Sequence, residues 1–192
     1  GDELLDAVMT NGQSEILLAG RHGRCCRFDE NDARALGRTA SGVRGINIDD
    51  DDEVIGMIAY DPTAEDAQAH SLLVVSENGY GKRSDFDEYR KTNRGGKGVK
   101  TLNITDKTGA LVAMKNVTDE NDLMIINRSG ITIRMAVSDI KVAGRATQGV
   151  RLINIREGDS IAAISAVNKS EEDTPEQPVE QSAEQDSQQN NE

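Results

Sequence analysis

Tryptophan is absent from the 192 residues, and all aromatic side chains together make up 3%. So few rings leave little for stacking on splayed bases, which argues against a reader of single strands. Only two cysteines occur, Cys25 and Cys26, and they are neighbours. Adjacent thiols exclude a disulfide framework and a spaced zinc site, and they fit a reducing cytoplasm. No apolar run approaches the ~18 residues of a membrane span, and no charged-then-apolar leader marks a secretory signal. His22 and His70 lack ligand-spaced partners, so no metal site is expected. No Walker-type loop is present for ATP.

What is abundant is acid. The chain carries 34 acidic and 22 basic side chains, a formal net charge of -12, which at first sight argues against a polyanionic partner. The charge is unevenly spread. From Lys169 onward the sequence is Glu-, Gln- and Ser-rich and holds eight acidic residues against one basic. Residues 168–192 are therefore expected to form a disordered acidic tail, because so polar a segment cannot bury enough surface to offset its chain entropy. The remaining body has a net charge of only -5. A second acidic block, Asp49 to Glu53, lies between apolar runs and reads as a turn. A calcium loop would need alternating ligands and a distal glutamate.

The body, residues 1–167, is a threefold repeat. Gly23, Gly79 and Gly130 set the register, and a second glycine follows nineteen positions later at Gly42, Gly98 and Gly149. Apolar runs precede the first glycine in each unit, at Ile16–Ala19, Leu72–Val75 and Leu123–Ile126. Val43, Val99 and Val150 follow the second glycine, and Asn47-Ile48, Asn103-Ile104 and Asn154-Ile155 come next. A further apolar run recurs four times, at Leu4–Val8, Val54–Ile58, Leu111–Met114 and Ile161–Ile164. Spacings of 56 and 51 residues between the first glycines fall in the range of propeller blades. The excess lies in a lengthened loop near Tyr60–His70. Short apolar runs separated by turns give a strand rhythm with no sustained helical period. The expected fold is all-β, a propeller-like array of about three four-stranded blades. Its units span about 1–48, 49–104 and 105–155. An extra strand at 156–167 starts a blade that nothing completes, or is lent to a neighbouring sheet.

The basic residues share this register. Four after the first glycine come Arg27, Arg83 and Arg134; eleven after it, Arg34, Arg90 and Lys141; fifteen after it, Arg38, Arg94 and Arg145; twenty-one after it, Arg44, Lys100 and Arg151. Equivalent positions in radial repeats occupy equivalent places, so these cations are expected to form a band around the array. A curved band of cations suits the phosphates of bent duplex DNA. Nothing points to base reading, so the binding is expected to follow shape more than sequence. Each unit also has an acid nine after the glycine (Asp32, Glu88, Asp139). The cations at plus four and plus eleven are therefore equally readable as ion-paired structure. Those at plus fifteen and plus twenty-one flank the second glycine and are favoured for phosphate.

Unit two carries Thr92-Asn93-Arg94-Gly95-Gly96-Lys97-Gly98. This resembles the glycine-rich basic box, Gln-Arg-Arg-Gly-Gly-Lys-Gly, of the DNA gyrase A C-terminal domain. The segments Gly37–Ile46 and Gly144–Ile153 are similar to the looser boxes of that family. The resemblance covers residues 1 to about 167 and implies a β-pinwheel, in which neighbouring blades exchange strands. It implies that the domain binds and wraps double-stranded DNA with positive handedness, so that the holoenzyme introduces negative supercoils using ATP and Mg2+ held elsewhere. Lys97 and the box glycines Gly95, Gly96 and Gly98 then join the cations as DNA-contact candidates, the glycines by close backbone approach and amide donors. The implied partners are DNA, the remainder of gyrase A, and gyrase B, with no membrane, in the cytoplasm at the nucleoid.

Two departures from the family pattern stand out: Thr92-Asn93 replaces Gln-Arg, and three units are present where five or six are usual. The segment begins inside a repeat without methionine, and the expectation is a C-terminal portion of a longer polypeptide. No catalytic residue is expected. Tyr60, Tyr80 and Tyr89 lie outside any Arg-Tyr-Thr context, Tyr89 reads as packing, and Cys25 and Cys26 as a packing pair, one in and one out. Two other assignments stay open: the equivalent domain of topoisomerase IV, and a protein-interaction propeller whose basic rows are ion-paired. Deleting Lys169–Glu192 is expected to leave the melting temperature unchanged; a large drop in thermal unfolding would show a docked tail.

Overall fold

A computed structural model describes residues 4–169; the acidic tail expected at 168–192 lies almost wholly outside the described residues. The strands in chain order are β1 (Glu15–Gly20), β2 (Arg24–Asp29), β3 (Val54–Tyr60), β4 (Ser71–Ser76), β5 (Tyr80–Ser84), β6 (Val99–Lys100), β7 (Leu111–Val117), β8 (Asn121–Asn127), β9 (Thr132–Ala136), β10 (Val150–Arg151) and β11 (Ile161–Asn168). They form three antiparallel sheets, ordered β3-β1-β2-β6, β10-β5-β4-β7 and β11-β8-β9.

The first glycine of each unit makes the blade's leading hairpin. Gly23, Gly79 and Gly130 each donate their amide to the residue three before, Gly20, Ser76 and Asn127, at 3.0 Å. Their φ values of 78°, 81° and 87° lie in the left-handed region that only glycine enters at no steric cost. The flanking runs then pair as β1 with β2, β4 with β5 and β8 with β9.

The outermost strand of a blade comes from the next unit. Val99–Lys100 pairs with Arg24 and Cys25 of β2, and Val150–Arg151 pairs with Tyr80 and Gly81 of β5. This is the strand exchange that defines a pinwheel. Gly98 and Gly149, at φ 68° and 76°, make it sterically possible. A Cβ on Gly98 would lie 2.3 Å from the carbonyl oxygen of Cys25, and one on Gly149 would lie 2.4 Å from that of Gly81. At Gly42, which has no preceding blade among the described residues, the same space is empty.

The pairing corrects the expected unit boundaries. The runs at 54–58, 111–114 and 161–164 close blades instead of opening them: β3 pairs with β1, β7 with β4 and β11 with β8. The blades therefore run 15–60, 71–117 and 121–168, each borrowing its outer strand where one is available. The reason is topological. After the second strand the chain travels outward to lay its box on the preceding blade, then returns to finish its own sheet. Leu4–Val8, the equivalent run, has no partner sheet among the described residues and forms no strand, and Leu4 and Leu5 stay 87% and 72% exposed.

Packing follows the pleat. In β4, Leu72 and Val74 enter a core between blades one and two, with Leu17, Cys25, Tyr60, Tyr89 and Leu111. Leu73 and Val75 enter a second core between blades two and three, with Leu123, Ile125, Val137 and Ile140. Every residue of β4 is buried, as expected for a strand covered on both faces. Cys25 and Cys26 face opposite ways, into the first core and into a smaller one with Ile16, Phe28 and Ile46, but both are buried. Burial raises the Cys25 thiol well above its usual range, so it stays protonated and inert. The strands β3, β7 and β11 pack successively against one another, forming the inner side, while β6 and β10 lie at the opposite, outer edge of their sheets.

Gly98→Ala and Gly42→Ala both place a side chain at positive φ, a cost of about 1–2 kcal/mol. Only Gly98→Ala adds a clash with the neighbouring blade, and we expect it to lose about 1–3 kcal/mol more in urea unfolding.

Candidate nucleic-acid interface

Three of the four basic rows are exposed or half-buried, and Lys100 and Arg151 lie on the edge strands β6 and β10. Arg34, Arg90 and Lys141 are exposed, as are Arg38, Arg44, Lys97, Lys100 and Arg151; Arg94 and Arg145 are half-buried. The box of one unit lies on the box strand of the unit before. Arg94 donates through Nε to the Asp32 carbonyl at 3.1 Å and through Nη1 to the Arg44 carbonyl at 2.5 Å. Arg145 repeats this one unit on, donating to the Lys100 carbonyl at 2.8 Å. In units two and three the cation at plus fifteen thus touches the residue at plus twenty-one of the preceding unit, Arg94 meeting Arg44 and Arg145 meeting Lys100.

These cations keep their charge available. None of those at plus eleven, plus fifteen or plus twenty-one, nor Lys97, takes part in an ion pair among the described residues. Arg94 and Arg145 spend donors on neutral carbonyls, which positions the guanidinium without cancelling it. Arg151 is held by the Tyr80 hydroxyl at 2.7 Å and lies over that ring, 5.3 Å from its centroid. Lys100 reaches Asn103 at 3.3 Å. Of the acids at plus nine, Glu88 serves the next unit's box backbone, accepting the Arg145 amide at 2.6 Å.

The row at plus four is different, and it leaves the candidate surface. Arg27 and Arg83 are only 8% exposed. Arg27 pairs with buried Glu15 and donates to the carbonyls of Phe86 and Tyr89 in the next blade at 2.5 and 3.0 Å. Arg83 pairs with Asp119 and donates to the Ile140 carbonyl at 2.9 Å. Arg134 pairs with Asp122 at 2.7 Å. In blades one and two these arginines lace one blade to the next, and their charge is matched. A buried charge left unpaired is costly, which explains why Arg27 and Arg83 each have a carboxylate.

The box glycines also act differently from expectation. The Gly95 amide, offered as a phosphate donor, is taken by the Gly45 carbonyl at 2.7 Å, and the Gly96 carbonyl accepts from the Asn47 amide at 2.9 Å. With Gly98 against Cys25, they seat the box on the preceding blade. The side chains around this seat, Arg24, Arg90, Arg94 and Lys97, border an open groove of 460 Å³. Arg24 was not visible as a candidate, because its repeat equivalents are Tyr80 and Ile131. It donates to the Lys97 and Gly98 carbonyls at 2.9 and 2.8 Å.

Beneath the box of unit three lies Lys82, fully buried, donating to the Gly144 carbonyl at 2.7 Å. Burial pulls it down to about 8. Cys26 takes the equivalent place beneath unit two, near the Asn93 carbonyl at 4.0 Å. Tyr89 is core, as expected, its hydroxyl against Thr101 at 2.5 Å, and Asp49 to Glu53 form a turn closed by the Asp52 amide on the Asp49 carbonyl. Among the described residues no helix is long and apolar enough to cross a membrane.

Lys82 gives the domain a signed pH dependence. Its folded pKa lies below its unfolded value, so the unfolded chain binds the extra proton between about pH 8 and 10.5, and stability rises with pH across that window. The melting-temperature difference between the parent chain and Lys82→Met is expected to grow in favour of the parent as pH rises from 7.5 to 10; a constant difference would contradict the buried amine.

Comparison with known proteins follows the same blade pattern. The family model of the DNA gyrase C-terminal domain, beta-propeller, matches residues 14–61, 70–118 and 121–168, the three blades defined by the sheets. The DNA gyrase A protein of Staphylococcus epidermidis (strain ATCC 12228 / FDA PCI 1200) is 44% identical over 171 residues, which is 89% of this chain and 19% of the relative. The chain thus spans about a fifth of that relative's length. Among solved structures, a DNA gyrase A C-terminal domain superposes with a TM-score of 0.71 at 21% identity, over 80% of this chain and 50% of that one. The C-terminal domain of a DNA topoisomerase IV superposes with a TM-score of 0.77, also at 21% identity, over 85% and 49%. With three blade-matched segments covering most of its length, the chain belongs to the DNA gyrase C-terminal domain β-propeller family.

Proposed function

We propose that this chain is a DNA-binding and DNA-wrapping portion of DNA gyrase A, supporting ATP-dependent negative supercoiling by the holoenzyme. The observation that carries this is a set of ten exposed or half-exposed cations, none ion-paired among the described residues, with the boxes of units two and three each touching the unit before. Duplex DNA is the ligand whose chemistry matches. Its phosphates recur along a path that a curved band follows, and neutralising them releases counterions. A preformed curved surface offsets part of the bending cost, of order 1–6 kcal/mol per short site.

On this reading the segment does no bond chemistry. Strand cleavage, ATP and Mg2+ belong to other parts of the assembly, the partners are the remainder of gyrase A, and gyrase B, and the setting is the cytoplasmic nucleoid. The topoisomerase IV alternative shares the fold at 21% identity, but the 44% identity to DNA gyrase A favours gyrase. A protein-interaction propeller requires neutralised rows, and only the row at plus four is neutralised.

Among the described residues Arg90 and Lys97 make no side-chain hydrogen bond or ion pair, so Arg90→Ala/Lys97→Ala tests the exposed cations. For the parent chain, gel-shift titrations should give log affinity falling steeply and linearly with log salt. The double variant should bind duplex DNA more weakly and reduce that slope by about 1–2 at an unchanged melting temperature. A flat salt response of the parent chain would remove DNA from the reading and favour the interaction module.

A further inference from the structure

The two blade junctions differ at a place that the repeat register does not mark. Between blades two and three, a recess of 270 Å³ is bordered by Tyr80, Lys107, Arg151 and Arg156, with Glu157 and Asp159. Tyr80 anchors it. Its hydroxyl accepts from Arg151 through Nε at 3.2 Å and Nη2 at 2.7 Å, and the Lys107 ammonium lies 5.4 Å from its ring centroid. Arg156 projects from the turn that the Asp159 amide closes on the Arg156 carbonyl at 3.0 Å.

The acids bordering the recess do not neutralise these cations. Asp159 is turned to Asn127 and Ser129, at 2.6 and 2.8 Å, and the Ser129 hydroxyl, with the backbone amides of Ser160, Ser129 and Arg128, holds its carboxyl below the usual range. Neither it nor Glu157 pairs with Lys107, Arg151 or Arg156. At the junction of blades one and two the equivalent positions hold Arg24, Asp51, Lys100 and Thr105. There Arg24 is spent on the Lys97 and Gly98 carbonyls, and Asp51 belongs to the four-aspartate turn.

We propose that the recess between blades two and three is a phosphodiester-binding site, in which Lys107, Arg151 and Arg156 grip the duplex at one point beyond the repeated rows. Arg151 belongs both to the recess and to the outer band, so a duplex on the band passes the mouth of the recess. Its counterpart, with an aspartate in place of Lys107, repels a phosphate at the same point. The track therefore has one inward anchor, at the second junction. This rests on the DNA-wrapping reading above, and the chemistry is shared with a free phosphoryl group, so the test separates the two.

Lys107→Ala/Arg156→Ala alters two exposed side chains and leaves the rows intact. In the full 192-residue chain, the slope of log affinity against log salt for duplex DNA should fall by about 1, with an unchanged melting temperature. At constant ionic strength, inorganic phosphate should compete with DNA no better than chloride. A steep parent slope that the double variant leaves unchanged would overturn the anchor alone, while Arg90→Ala/Lys97→Ala still lowers it. A flat parent slope would overturn the wrapping reading and the anchor with it. Submillimolar phosphate displacing DNA from the parent chain but not from the double variant would make this a free-phosphate site and overturn the DNA assignment.

Discussion

The fold depends on one close approach: the second glycine of a unit lying against the backbone of the preceding blade. At Gly98 and Gly149 the room left by a missing Cβ is taken by a carbonyl oxygen 2.3 and 2.4 Å from where that carbon would be. Only at that distance can Val99–Lys100 and Val150–Arg151 join the ladder of the blade before. Once they do, the residues just upstream of each glycine are carried over the seam, and Arg94 and Arg145 meet the carbonyls of Arg44 and Lys100. Contact between successive boxes is thus a consequence of strand exchange, which an ordinary propeller with self-contained blades would lack.

Arginine plays two opposed parts in this arrangement, and burial separates them. Arg27 and Arg83 lie inside the seams, where an unpaired charge would be costly, and each has a carboxylate and a carbonyl from the next blade. Arg90, Lys97 and their neighbours lie outside, where water solvates the charge at no such cost and a polyanion can replace that water. The net charge of -12 does not oppose this division. At ordinary salt, charges interact over about 8–10 Å, so a polyanion meets the charges near its own contact and not the net charge of the chain.

How much of this was legible in the sequence follows from what repeats. The hairpin glycines, the core runs and three rows of exposed cations recur position by position, and the array of β-blades could be read from them. Blade boundaries could not, because the run at 54–60 finds its partner in β1 some forty residues back, and periodicity says nothing about pairing. The plus-four row was ambiguous because its acid changes place. Glu15 and Asp122 are repeat equivalents, but blade two has Ser71 there and recruits Asp119 instead. Arg24, Lys107 and Arg156 carried no signal at all, since a residue present in one unit only is invisible to a method that looks for recurrence.

That blind spot bears on how such a rim holds a ligand. Identical rows on identical blades give a track with no preferred register, along which a bent duplex can slide without cost. The departures from symmetry break that degeneracy. Tyr80 stands where unit one has Arg24, and Lys107 where it has Asp51, so the two seams present different potentials to the same backbone. The seams themselves are stiff, with buried apolar cores between successive blades and arginine lacing across them. On the wrapping proposal, a packed arc fixes the curvature it offers, and the bending energy of a bound duplex is met by the sum of many weak contacts. Position along the arc has to come from the few places where the repeat fails.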